Sequence, residues 1–151
     1  MSIEEDIKSS VKLDEKQKTV INLLYTNNWL KEKSIAYFKD HDLSPEQYNV
    51  LRILRGQKGN PANLSTIQER MINKMSNTTR LIDKLLKKEL VTRRTCTSNR
   101  RKIEIFITEK GLILLKALDI KVNSSNIEIT KNLNILELTT LNNLLDKLRA
   151  H

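Results

Sequence analysis

Residues 64–108 read LSTIQERMINKMSNTTRLIDKLLKKELVTRRTCTSNRRKIEIFIT, and the fold follows from their punctuation. Leu64, Ser65 and Gln68 make a capping pattern that opens a short helix through about Met71. A brief turn near residues 73–75 leads into a second helix that runs from Ser76 to about Glu89. At about 100° per residue, Thr78, Leu81, Ile82, Leu85 and Leu86 of that helix share one side, facing a core. Ser76, Asn77, Arg80, Lys84 and Lys87 fall opposite. Two short helices joined by a tight turn form a helix-turn-helix. Residues 91–96 and 102–108 then read as strands, with Ile103, Ile105 and Ile107 alternating in the second. Between them lies the polar tip 97–101, ending in Arg100 and Arg101, so the unit is a helix-turn-helix followed by a basic hairpin: a winged helix.

Charge is concentrated in this unit. Residues 70–102 carry eleven Lys and Arg against Asp83 and Glu89, a net +9, and the whole chain of 151 residues is also +9. The remaining residues therefore balance, and the positive field is local. A basic segment on a neutral body suits a polyanion, nucleic acid above all, while the bland alternative is a solvated charge run.

Outward from the winged helix the periodicity stays helical. Residues 1–10 are polar and expected to fray; Leu13, Val20, Ile21, Leu24, Tyr25 and Trp29 then recur at helical intervals to about Asp40. Ser44, Pro45 and Gln47 spell a helix start: a cap, a proline at the first helical position and a side chain that reaches back, with Leu43 placed to staple onto Tyr48. That helix, with Val50, Leu51, Ile53 and Leu54 inward, stops at Gly56, and residues 57–62 form a loop. Beyond the hairpin, Thr108 caps a helix carrying Leu115, Leu118 and Val122, a polar break follows near Ser124, and Asn134 with Glu137 opens a last helix lined by Leu138, Leu141, Leu145 and Leu148. The fold class is mainly α with a small β hairpin, a winged helix-turn-helix plus terminal helices.

Composition narrows the function classes. Three Gly and two Pro leave few loops, which argues against sandwiches, barrels and Gly-rich nucleotide folds. No nucleophile elbow, phosphate loop or paired catalytic carboxylates stand out, so no catalytic residues and no cofactor are expected. His41 and His151 stand alone, without ligands at metal spacing. Cys96 has no internal disulfide partner; Arg93, Arg94 and Arg100 nearby give the sole reason to read it as a redox thiol rather than an incidental one. The acidic amino terminus lacks the order of a secretory signal and no stretch is apolar for long enough to span a bilayer, so a cytoplasmic protein without membrane association is expected.

The first turn of a recognition helix enters the major groove, which brings Ser76, Asn77, Thr79 and Arg80 to base edges; Arg80 suits a phosphate equally well. Lys84 and Lys87, as compact hydrated charges, suit phosphate oxygens. At the hairpin tip, Asn99, Arg100 and Arg101 form the candidate wing contact, where guanidinium groups enter a narrow, electronegative minor groove. Arg93 and Arg94 alternate across the strand, so at most one faces DNA and the other pairs with a neighbouring acid.

The stretches Thr79-Arg80-Leu81-Ile82-Asp83-Lys84-Leu85, Leu90-Val91-Thr92-Arg93, Asn99-Arg100-Arg101 and Ile107-Thr108-Glu109-Lys110-Gly111 resemble the MarR family of winged-helix transcriptional regulators, over about residues 11–148. The resemblance implies a single MarR-type domain over residues 1–151: a winged helix-turn-helix core at 44–108, with dimerisation helices at 11–40 and 109–149. It also implies a homodimer on a pseudo-palindromic operator, with Arg101 as the wing arginine. The chain departs from the family pattern in three places: Asn99 replaces an Asp that orients the wing arginine, Glu89 stands where a Gly usually follows the recognition helix, and Ile107 replaces a Leu. Tyr25, Trp29, Tyr37 and Phe38 either border a site for a small aromatic effector, as the family suggests, or are core and dimer packing.

The expected function is a sequence-specific, ligand-responsive repressor that binds double-stranded DNA as a homodimer. The alternative is a non-catalytic helical module that binds RNA or an acidic protein through its basic face.

Overall fold

The computed structural model describes residues 2–150; Met1 and the isolated His151 considered above lie outside them. The elements run α1 (Ile3–Asp6), α2 (Glu15–Lys39), α3 (Pro45–Arg55), α4 (Leu64–Arg70), α5 (Thr78–Lys87), β1 (Val91–Thr95), β2 (Ile103–Ile107), α6 (Glu109–Thr130) and α7 (Ile135–Arg149). The chain divides into two compact units between Ala36 and Tyr37.

In the first unit, residues expected to fray form the single turn α1. The Ser2 hydroxyl accepts from Glu5 N while Glu5 Oε2 accepts from Ser2 N at 2.8 Å, a reciprocal cap that needs no distant partner. Most of the long helix α2 also belongs here, with Val20, Leu24 and Tyr25 exposed.

The second unit holds the core. Ser44 and Gln47 cap α3 as the sequence predicts, with reciprocal bonds of 3.0 and 3.1 Å, and both Leu43 and Tyr48 are buried. Val50, Leu51, Leu54, Ile67, Leu85, Ile105, Leu115 and Leu118 pack together from α3, α4, α5, β2 and α6. Phe38 joins them, its ring 5.0 Å from that of Tyr48. Thus Phe38 is core, Tyr37 lies against it, and Tyr25 and Trp29 remain exposed. Helix α3 ends at the predicted place, but Gly56 keeps right-handed geometry; the left-handed residues are Lys58 and Gly59, further on.

The hairpin pairs Val91 with Ile107, Arg93 with Ile105 and Thr95 with Ile103. A third chain segment joins it. Ala62, from the loop after α3, exchanges two backbone hydrogen bonds with Ile105, of 3.0 and 2.9 Å, and so anchors the wing to the core. The two-stranded wing is too small to stand alone, and this bridge supplies support the local pattern did not reveal.

Two helix boundaries differ from expectation. Helix α4 is capped by Asn63, whose Oδ1 accepts from Thr66 N at 2.8 Å; Ser65, the predicted cap, donates its hydroxyl to that same oxygen. Helix α6 runs unbroken through Asn123, Ser124 and Ser125 to Thr130. Such residues each cost only up to about 0.7 kcal/mol in a helix interior, and without Gly or Pro that is insufficient to stop one. The cap at Thr108 and the reciprocal Asn134–Glu137 cap of α7 stand as predicted.

Helix α5 closes on a Schellman motif: Leu90 N donates to Leu85 O and Glu89 N to Leu86 O, with Glu89 left-handed at φ 60°. A glycine is the usual occupant of that conformation, so Glu89 forms the same helix end as the glycine of the family pattern but at a cost in backbone strain. Gly111 has a different reason to be glycine. A Cβ there would lie 2.5 Å from Leu90 O and 2.8 Å from Ile107 Cγ1, because the first turn of α6 lies against the backbone at Leu90, just before β1, and against the end of β2.

Candidate nucleic-acid interface

The recognition helix α5 is shorter at both ends than its sequence pattern suggests. Asn77 is its cap, with Oδ1 accepting from Arg80 N at 3.0 Å, so Ser76 and Asn77 precede the helix. Burial falls as the wheel predicts: Thr78, Ile82 and Leu85 are buried, Leu81 and Leu86 are half-buried against the core, and Thr79, Arg80, Lys84 and Lys87 are exposed. Arg80, Lys84 and Lys87 are spaced four and three residues apart, which lines them along one face. Ser76 departs from its expected position: it is half-buried, and its Oγ is enclosed without a partner among the described residues.

The turn that precedes α5 is tied down by side chains. Asn49 Oδ1, on α3, accepts from Ile72 N at 2.8 Å. Gln68, on α4, donates from Nε2 to Lys74 O at 2.6 Å and accepts at Oε1 from the Thr78 hydroxyl. Asn73 Oδ1 accepts from Met75 N, and Asn73 O from Ser76 N, both at 3.1 Å. Gln68 thereby connects α4, the turn and the first residue of α5, which fixes the recognition helix against its partner. The sequence pattern assigned Gln68 to a cap, and Asn49 gave no signal, being 23 residues from its partner.

At the wing, Cys96 N donates to Lys102 O and Lys102 N to Asn99 O, both at 2.9 Å, closing the tip. Asn99 Oδ1 accepts from the backbone N–H of Arg101 at 3.1 Å. The residue that replaces the family's Asp thus shapes the turn under the arginine through its backbone. Arg100 and Arg101 are exposed. Cys96 is half-buried, with Sγ 3.1 Å from Ser98 Oγ.

The eleven cations separate into two groups. Lys88 pairs with Asp42 at 3.0 Å, Arg93 with Asp83 at 3.5 Å and Arg94 with Glu104 at 2.7 Å, while the Lys74 ammonium donates to Glu69 O. Both strand arginines are therefore paired, where the sequence reading let at most one face DNA; Arg94 also lies 4.6 Å over the Phe106 ring. Arg70, Arg80, Lys84, Lys87, Arg100, Arg101 and Lys102 have no carboxylate within ion-pair distance among the described residues. The unneutralised charge thus sits on the recognition helix, the end of α4, the turn that carries Lys74 and the wing tip. These are the parts that meet phosphates when a helix enters the major groove and a hairpin the minor.

Among the described residues, no helix is long and apolar enough to cross a membrane, and no three His, Cys, Asp or Glu side chains are grouped to hold a metal.

Comparison with known proteins agrees with this geometry. A sequence model described as the MarR family matches residues 43–103. The crystal structure of a MarR transcription factor from Planctomyces limnophilus is 32% identical, covers 89% of this chain and 98% of its own, and superposes with a TM-score of 0.69. A mutant MarR from E. coli complexed with operator DNA shares the fold at 22% identity and a TM-score of 0.79, covering 93% of this chain and 100% of its own. BpsR from Bordetella bronchiseptica, whose DNA binding is regulated by 6-hydroxynicotinic acid, does so at 20% identity and a TM-score of 0.76, covering 87% and 99%.

Proposed function

The chain belongs to the MarR family of transcription regulators and has its DNA-binding fold, and we propose that it acts as a homodimeric, ligand-responsive repressor on a pseudo-palindromic operator. The observation that carries this reading is the segregation of cations: those on α5, the end of α4, the turn after it and the wing tip lack acidic partners among the described residues, while Lys88 and the strand arginines Arg93 and Arg94 are paired. In the proposed complex Asn77, Thr79 and Arg80 approach base edges, Lys84 and Lys87 hold phosphates, and Asn99, Arg100 and Arg101 form the wing contact, while Ser76, its Oγ enclosed, stays out of the groove. Asn77 serves through its amide Nδ2, since its Oδ1 caps the helix.

Support for the dimer comes from apolar side chains that one chain leaves uncovered. On α2 these include Val20 and Leu24; on α6 and α7, Ile120, Ile127, Ile135, Leu136, Leu144 and Leu148, each more than half exposed. Helix α7 has no buried residue at all among those described. A second copy covering these faces within 11–40 and 109–149 would match the two-fold symmetry of an inverted repeat around the 44–108 core. For the effector, a small aromatic molecule suits the exposed Tyr25 and Trp29. The aromatic acid that regulates BpsR is of that class.

The test is competition binding with the purified protein. An inverted-repeat duplex recovered by selection from genomic fragments should displace labelled probe before random duplex or structured RNA, and log affinity should fall with log salt by about 0.9 per phosphate neutralised. Equal displacement by every polyanion would favour a general interaction module, and a salt-independent affinity would rule out phosphate contact.

A further inference from the structure

Two large apolar side chains are held out in water at the heart of the basic surface. Ile72 is 85% exposed and Met75 is 92% exposed, both in the turn between α4 and α5. Neither is a loose end. The amides of both residues are bonded to side-chain oxygens, Ile72 N to Asn49 and Met75 N to Asn73, and the carbonyl of Lys74 between them is held by Gln68. Core packing here is done by Met71, 1% exposed, directly before Ile72. Met75 stands two residues before the Asn77 cap, at the end of the helix that a helix-turn-helix directs into the major groove. The exposed cations Arg70 and Arg80 lie on either side of it in sequence, so the surface that displays these apolar groups also attracts an anion.

Duplex DNA offers such a surface one apolar group on its groove edges: the 5-methyl of thymine. We propose that Met75, and Ile72 from the same turn, select operator sequence by packing on thymine methyl groups in the major groove. This rests on the reading of α5 as a duplex reader and adds to it a second kind of readout, independent of hydrogen bonds. Methionine suits the task because its unbranched, polarisable thioether adapts to a shallow apolar contact. The fixed backbone matters too, since little main-chain entropy remains to be lost when the contact forms.

Replacement of thymine by deoxyuridine removes the methyl and leaves pairing, phosphates and hydrogen-bonding edges unchanged. The probe is the inverted-repeat duplex selected by the purified full chain, with each thymine replaced in turn. Affinity should fall about fourfold at one or two positions per half-site, the effect of one buried methyl. Met75→Ala or Ile72→Ala should abolish the sensitivity at the matching position, and Met75→Leu should retain it. Both residues are exposed, so the variants should fold, which circular dichroism checks. Indifference of the wild type to every deoxyuridine, with tight salt-dependent binding intact, would overturn the methyl readout and spare the DNA-binding reading. Sensitivity that persists unchanged in both alanine variants would also overturn it. Absence of duplex binding would sink both.

Discussion

The Arg55 guanidinium and the Asp119 carboxylate, 64 residues apart in the chain, meet in a two-pronged pair with Nη1–Oδ2 at 2.6 Å and Nη2–Oδ1 at 3.2 Å. The pair fastens α3 of the winged helix to α6, and the bond from Asp119 holds the Arg55 pKa above its usual value. Both side chains are about one-third exposed, so solvent screens much of the attraction. Arg55→Ala should lower stability by about 1 kcal/mol, the upper end for a well-aligned surface pair. In a double-mutant cycle with Asp119→Asn, a coupling energy that shrinks in high salt is expected. Arg55→Lys should recover only part of it, because an ammonium cannot match both oxygens.

Glu89 occupies a left-handed position at φ 60°. That conformation costs a non-glycine residue about 1–2 kcal/mol, from which the greater unfolded-chain entropy of glycine must be deducted. Glu89→Gly should therefore stabilise the protein by about 0.5–1 kcal/mol, and the exposed pair with Lys110 lost in the exchange is worth little. The check is a higher denaturant midpoint at unchanged slope.

Gly111→Ala should act in the opposite direction. Alanine gains about 1 kcal/mol of helix propensity, but its methyl would meet the Leu90 carbonyl at 2.5 Å. Displacement of α6 from the backbone at Leu90 should outweigh that gain, for a net loss of about 1–2 kcal/mol and a lower melting temperature.

Arg80 and Lys87 share a face of α5 but should fail differently. Lys87→Ala is expected to weaken binding evenly across sequences and to reduce the salt slope by about 0.9. Arg80→Ala should relax discrimination at one base position, by about 1–3 kcal/mol if its fork reads a guanine. Arg101→Ala should weaken A·T-rich, narrow-grooved flanks most. Binding to a panel of single-base operator variants at several salt concentrations separates the three.

The Glu104 carboxyl sits below its ordinary pKa, chiefly through its hydrogen bond from Arg94, with Cys96 adding another. A depressed folded value contributes stability that is present above the unfolded value of 4.5 and is lost as pH falls through the folded one. The stability difference between wild type and Arg94→Gln should therefore be constant at neutral pH and shrink as pH falls below about 4.5. Unfolding followed at a series of acid pH values would show it.

The sequence alone determined what depends on neighbours three or four residues away. The caps at Ser44, Thr108 and Asn134, the buried stripe of α5 and the basic tip are all local patterns, since capping and helical periodicity act within one or two turns. Where two local solutions competed, as at Asn63 and Ser65, the pattern chose the wrong one, because either side chain can cap and the docking of α4 decides between them. Tertiary structure alone decided which cations remain free. In the sequence one of Arg93 and Arg94 is still free to face DNA, but folding brings Asp83 and Glu104 alongside both and leaves Arg100 and Arg101 at the tip bare. The Ala62–Ile105 bridge, the Asn49 and Gln68 ties on the turn and the display of Ile72 and Met75 are likewise products of packing. Periodicity states which side of a helix is apolar; only the assembled core settles which polar and apolar groups outside that stripe find partners and which are left to meet something else.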